Sequence, residues 1–111
     1  MRGQKTDLLK QGTLELIVLR LLRSSRLNGW DIMQRMQLVS GEVLTVTPGA
    51  LYPTLHRLEA RGLISSEWGA SEQNRRAKFY KLTAAGRKRL EEERDTWARF
   101  AGAMDAILRD A

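Results

Sequence analysis

The sequence contains no cysteine, so disulfides, thiolate catalysis and cysteine-ligated metals are excluded, and the interior must hold by packing alone. Its single histidine, His56, has no second imidazole to join at a metal, and Glu59 three residues on offers two ligands at most. A P-loop, a G-x-G-x-x-G loop and a nucleophile elbow are all missing. Glu91-Glu92-Glu93 follows Arg87-Lys88-Arg89, which suits pairs on a helix surface better than an acid/base couple. An enzyme is therefore not expected, and no catalytic residue, metal or cofactor is assigned. No apolar run approaches the ~20 residues that cross a bilayer. The opening MRGQKTDLLKQG also lacks the apolar core of a signal peptide, so a cytoplasmic location without a membrane partner is expected. There is no internal repeat, low-complexity stretch or linker, hence no domain boundary.

What is present is basic. Nineteen Lys and Arg stand against 13 Asp and Glu, a net charge of +6 and a pI of about 10.3, a balance that suits a chain meeting phosphates. Hydrophobic residues at 42% and charged residues at 29% describe a chain that folds. With 111 residues it buries only about two-thirds of its unfolded surface, so a long helix or a partner chain is the expected means of completing the core.

The stretch TPGALYPTLHRLEAR, residues 47 to 61, organises the rest. Thr47 is a good N-cap, Pro48 suits the first helical position, and Gly62 after Arg61 is the usual stop signal. Leu51, Leu55 and Leu58 form one apolar stripe. The other face carries Gly49, Tyr52, Pro53, His56 and Arg57, small, aromatic and donor-bearing groups built to touch something. Pro53 removes the hydrogen bond to the Gly49 carbonyl, so a bent or loosened first turn is expected.

Residues 1 to 6 are polar and expected to fray. From Asp7, with Thr6 or Asp7 as cap, to about Arg23 a wide apolar stripe that includes Leu8 and Leu9 predicts a helix buried on two sides. Residues 24 to 29 read as a turn, and Trp30 to Val39 as a second helix with Asn28 or Asp31 near its start and Ser40-Gly41 at its end. Glu42 to Val46 is either a short strand or an extended link. Two short helices before the Thr47 helix give the layout of a helix-turn-helix. After Gly62, residues 63 to 68 and 77 to 82 alternate as strands around a polar loop, a hairpin with Arg75, Arg76 and Lys78 crowded at its tip. Thr83 then caps a final helix about 39 Å long. Leu90, Arg94, Trp97, Ala101, Met104 and Leu108 recur along it at 4, 3, 4, 3, 4, with Phe100 and Ile107 widening the stripe. That face packs either against a two-fold mate or back on the first helix.

Tyr52, His56 and Arg57 suit a major groove, Thr47-Pro48-Gly49 a phosphate at a helix start, and the basic hairpin the flanking backbone or minor groove. Together they favour double-stranded DNA as the partner.

The chain also resembles the PadR family of winged-helix transcription regulators over nearly its whole length. The resemblance is carried by QGTLELIVLRLL at 11 to 22, NGWDIMQRM at 28 to 36, TPGALYPTLHRLEARGLISSEWG at 47 to 69 and RRAKFYKLTAAGRKRL at 75 to 90. It implies a recognition helix over residues 47 to 61 and a wing over 63 to 82. Thr47, Gly49, Tyr52, Pro53 and His56 match the recognition-helix motif, and Arg75, Arg76 and Lys78 the wing motif. Its first and last helices would build a homodimer. It also implies a repressor, of a short subgroup without an added C-terminal domain, whose hold on DNA loosens when a small molecule binds or is set by another signal; some short members take a small planar apolar effector between the subunits. Trp97 matches an aromatic that such ligands meet between subunits, although a tryptophan on an apolar stripe is more often an anchor in the dimer core. Met33 and Met36 are read as core filling rather than pocket lining.

The expected fold is therefore mainly α (α+β): a winged helix-turn-helix over residues 1 to 82, with a two-stranded wing, and a C-terminal dimerisation helix over 83 to 111. The expected DNA contacts are Thr47, Pro48, Gly49, Tyr52, Pro53, His56, Arg57, Arg75, Arg76 and Lys78 on a near-palindromic operator. The expected dimer interface is Leu8, Leu9, Leu90, Trp97, Phe100, Ala101, Met104 and Leu108. The alternatives are a winged-helix module that docks on an acidic protein or on RNA without operator specificity, and a small-molecule sensor whose pore is the function.

Overall fold

The structure, a computed structural model, describes residues 11–110. The frayed start, the cap at Thr6 or Asp7, and Leu8 and Leu9 lie outside the described residues. In order come α1 (Gln11–Ser24), β1 (Leu27–Asn28), α2 (Gly29–Val39), α3 (Pro48–Ala60), β2 (Ile64–Ala70), β3 (Arg76–Leu82) and α4 (Ala84–Asp110).

Helix α1 is the post around which the rest is built, touching α2, α3, β3 and α4. Leu14, Val18, Leu19, Leu21 and Leu22 are buried there, against Ile32 and Met36 of α2, Leu51, Leu55 and Leu58 of α3, and Leu90 of α4. Its wide stripe is thus largely used within its own chain. Met36 is core, and Met33 packs against that core.

Local chemistry sets the boundaries. Asn28 caps α2, its side chain accepting from the Asp31 N–H at 2.8 Å. Ser40 ends the helix, and Gly41 and Glu42 turn the chain with φ of 64° and 67°. Residues 42–46 form no strand; they are the extended link, with Leu44 and Val46 packed on the core. Thr47 caps α3 through a 3.3 Å bond from the Ala50 N–H, Arg61 closes it, and Gly62 leaves it at φ 75°. The helix runs unbroken through the exposed Pro53.

The hairpin β2–β3 pairs antiparallel from Ile64↔Leu82 to Ala70↔Arg76. Gly69, Ala70 and Arg76 therefore belong to the ladder, and the loop shrinks to residues 71–75. There the Ser71 N–H bonds the Arg75 carbonyl at 2.8 Å, and Asn74 takes the left-handed conformation, φ 59°, that asparagine tolerates. The turn expected over residues 24 to 29 is corrected at its end: Leu27 and Asn28 form β1, opposite Tyr80 and Phe79, and complete a sheet of order β1-β3-β2. Two residues are too few to show an alternating pattern, and only β3 makes them a strand.

Thr83 joins wing to α4. Its hydroxyl donates to the Gly62 carbonyl at 2.7 Å and accepts from the Gly86 N–H at 3.0 Å. Further along, α4 changes character. Leu90 is 1% exposed inside the chain's own core, which corrects its place in the expected dimer interface: this part of α4 lies where the helix crosses α1. Trp97, Phe100, Met104, Ile107 and Leu108 are exposed, and Ala101 is half-buried. No helix among the described residues is long and apolar enough to cross a membrane.

Candidate nucleic-acid interface

Between α3, the start of α2 and the wing lies an open groove of about 760 Å³. From α3 come Tyr52 and His56; from the wing come Arg75, Arg76 and Lys78. Five of the ten expected contacts, 19 to 26 residues apart between helix and wing, thus face one space. Thr47, Pro48, Gly49 and Pro53 are exposed on the same helix. At that start the helix dipole is positive and the first N–H groups have no helical partner, so an anion is favoured where Thr47 stands.

The sheet's alternation explains why the wing's cations face the groove. Ile64, Ser66, Trp68 and Ala70 pair with Leu82, Tyr80, Lys78 and Arg76, and all eight share one face. At the base that face enters the core through Ile64, Tyr80 and Leu82; toward the tip the same face is Trp68, Lys78 and Arg76.

Tyr52 does two things. It is 37% exposed in the groove, while its hydroxyl end lies against Gly29, where any Cβ would overlap it. Gly29 thus lets α3 seat on the start of α2. Tyr80, beneath them, has its pKa pushed above the usual value by burial, and further by Tyr52 and Glu59. Glu59 accepts a 2.6 Å bond from the Ser66 hydroxyl, so it ties α3 to β2 rather than joining His56 at a metal. Among the described residues no cluster of three metal-ligating side chains occurs.

Arg57 requires a correction. It stands beside Leu58 on the flank of α3 that turns toward α1, not on the free face. Its Nη2 donates to the Thr54 hydroxyl at 3.0 Å and its Nε lies 3.7 Å from Glu15. Arg61 holds the other oxygen of Glu15 at 3.0 Å. Arg61 and, at longer range, Arg57 tie α3 to α1 through Glu15, while the buried Arg57 Nε makes no hydrogen bond among the described residues.

A second cavity, about 340 Å³, lies under Trp97, lined mainly by apolar side chains of α1, α2 and the 40–46 link, with Arg20 and Arg94 at its edge. Trp97 is 46% exposed and packs tilted against Phe100, ring centroids 5.7 Å apart.

The sequence profile of the Transcriptional regulator PadR-like family matches residues 18–92. The chain belongs to that family. A solved PadR-like transcription factor from Bacteroides fragilis is 34% identical, with a TM-score of 0.72 over 87% of this chain and 91% of that one. Bacillus subtilis PadR, solved in complex with operator DNA, is 28% identical, with a TM-score of 0.63 over 71% of this chain and 45% of that one. Transcriptional regulator Rv3488 of Mycobacterium tuberculosis is 53% identical over 49 residues, a match spanning 44% of this chain and 45% of that relative.

In this PadR-like chain, sequence reasoning missed four groove residues. Trp30 and Trp68 are exposed tryptophans at the groove, Arg26 lies 4.2 Å from the Phe79 ring centroid, and Arg26 also pairs with Glu67 at 2.8 Å. The signal available was weak: two of only three tryptophans stand outside any apolar stripe.

Proposed function

We propose that this PadR-like regulator is a homodimeric repressor that binds a near-palindromic operator in double-stranded DNA, with the groove between α3 and the wing as its contact surface. The observation that carries the reading is the convergence of Tyr52 and His56 with Arg75, Arg76 and Lys78 on one groove in a chain of net charge +6. Helix α3 enters the major groove with His56 and Tyr52 toward base edges; Thr47 and Gly49 meet a phosphate; the wing grips the flanking backbone. The relative solved on operator DNA supports the same partner.

The exposed stripe from Trp97 to Leu108 supports dimerisation. Five large apolar side chains exposed on α4 among the described residues form a patch that monomers rarely leave open, and a two-fold contact through them would set two recognition helices about one helical turn of DNA apart. The cavity under Trp97 supports a small planar apolar effector that releases DNA. A DNase footprint on the chain's own upstream DNA tests the proposal: protection of an inverted repeat is expected, and uniform cleavage would overturn it. Docking on an acidic protein or RNA predicts no such protection.

A further inference from the structure

Arg76 and Trp68 sit on facing strands of the wing, two positions out of step. Trp68 stands opposite Lys78, and Arg76 opposite Ala70. Ala70 is too short to occupy the space before Arg76, so the arginine leans back along the diagonal. Its Cζ lies 4.3 Å from the centroid of the Trp68 ring, a contact that diagonal pairs on one sheet face can reach. Trp68 is 58% exposed, so core packing does not account for an indole here.

An ion pair would have fixed the arginine equally well but neutralised it. Arg26, at the edge of the same groove, shows that alternative: it meets Phe79 and is also bound by Glu67. Among the described residues Arg76 forms no ion pair. Holding a guanidinium against a π face consumes no acceptor, so its charge and N–H donors remain available for a phosphate. A long side chain held in place before binding also loses less rotamer freedom on binding.

We propose that Trp68 is a positioning residue for phosphate binding by the wing, its indole holding the Arg76 guanidinium out over the groove, ready for the DNA backbone. The proposal rests on the DNA-binding reading above. Trp68 itself touches no base, so it raises affinity for all duplexes and leaves sequence preference unchanged.

A double-mutant cycle tests it, with affinity for the upstream duplex and for a scrambled one measured by fluorescence anisotropy. The full-length variants are Trp68→Leu, which keeps apolar bulk without a π face, Trp68→Phe, Arg76→Ala and the double variant Trp68→Leu/Arg76→Ala. Thermal melting of each confirms the fold. Trp68→Leu is expected to weaken binding about fivefold per wing, hence about 25-fold for two wings, equally on both duplexes. Trp68→Phe should restore most of it. The double variant should bind no more weakly than Arg76→Ala alone, because the ring then has nothing to hold. Independent, additive losses, or wild-type affinity in Trp68→Leu, would overturn the proposal. A wild-type protein that binds neither duplex would instead overturn the DNA-binding reading and this proposal with it, which keeps the two failures distinct.

Discussion

At Gly86 a Cβ would overlap the carbonyl oxygen of Leu63. The obstacle is backbone, which cannot swing aside as a side chain can. Gly86→Ala is therefore expected to cost about 2–3 kcal/mol and to lower the melting temperature by about 8–12 °C; a differential scanning calorimetry trace within 2 °C or so of wild type would refute the close approach. Tyr80 makes a different prediction. Burial, then Tyr52 and Glu59, raise its pKa above the usual value near 10. Above pH 10 the unfolded chain gives up the phenolic proton while the folded chain keeps it. The folded state then binds more protons, so its stability is intact below pH 10 and falls as pH rises beyond it. Tyr80→Phe has no such proton, and melting curves between pH 8 and 11 should show a shallower alkaline decline than wild type.

Helix α3 was legible from sequence almost to the residue, because what sets its ends is local. Thr47, Pro48, the leucine spacing and Gly62 act within a turn of one another, and no distant contact is needed to read them. The hairpin and the Thr83 start of α4 were legible for the same reason. What was not legible depends on partners far along the chain. Strand β1 exists only because β3 offers Tyr80 and Phe79; Arg57 turns from the groove because Glu15 waits 42 residues earlier on α1; Leu90 is core because α4 crosses α1 before it leaves the domain. Periodicity placed Leu90 and Trp97 on one stripe and had no means of showing where the stripe emerges. The tie through Glu15 gives a prediction at this scale. Glu15 is 16% exposed, but both its arginines are more than 40% exposed, so solvent discounts the pairs. Glu15→Gln should cost about 0.5–1 kcal/mol, or about 2–4 °C in melting temperature, with the difference shrinking at 1 M salt. A loss that salt does not change would mean the carboxylate acts through packing instead.

The molecule as a whole has two distinct ends. One end gathers cations and aromatic rings at a groove; at the other, Trp97, Phe100, Met104, Ile107 and Leu108 of α4 are exposed among the described residues. On the proposed reading, a second copy covers the second end and sets the spacing of the first. Phe100→Glu, on an exposed position that the fold does not need, is expected to leave melting at high dilution unchanged and to shift sedimentation from about twice the 12.7 kDa chain mass to a monomer. Operator affinity should fall with it, since one wing and one helix then bind alone. An unchanged dimer would place the interface elsewhere.

The central claim, a dimer that reads DNA sequence through α3 and grips the backbone through the wing, is tested most directly by one titration. Fluorescence anisotropy would follow the full-length protein binding its own upstream DNA and scrambled DNA of equal length, at two salt concentrations. If each subunit neutralises three or four phosphates, log K falls with log salt at a slope of about −5 to −7, and preference for the upstream fragment survives at the higher salt. Equal affinity for both fragments that collapses together as salt rises would show the +6 charge acting alone, and would contradict the account.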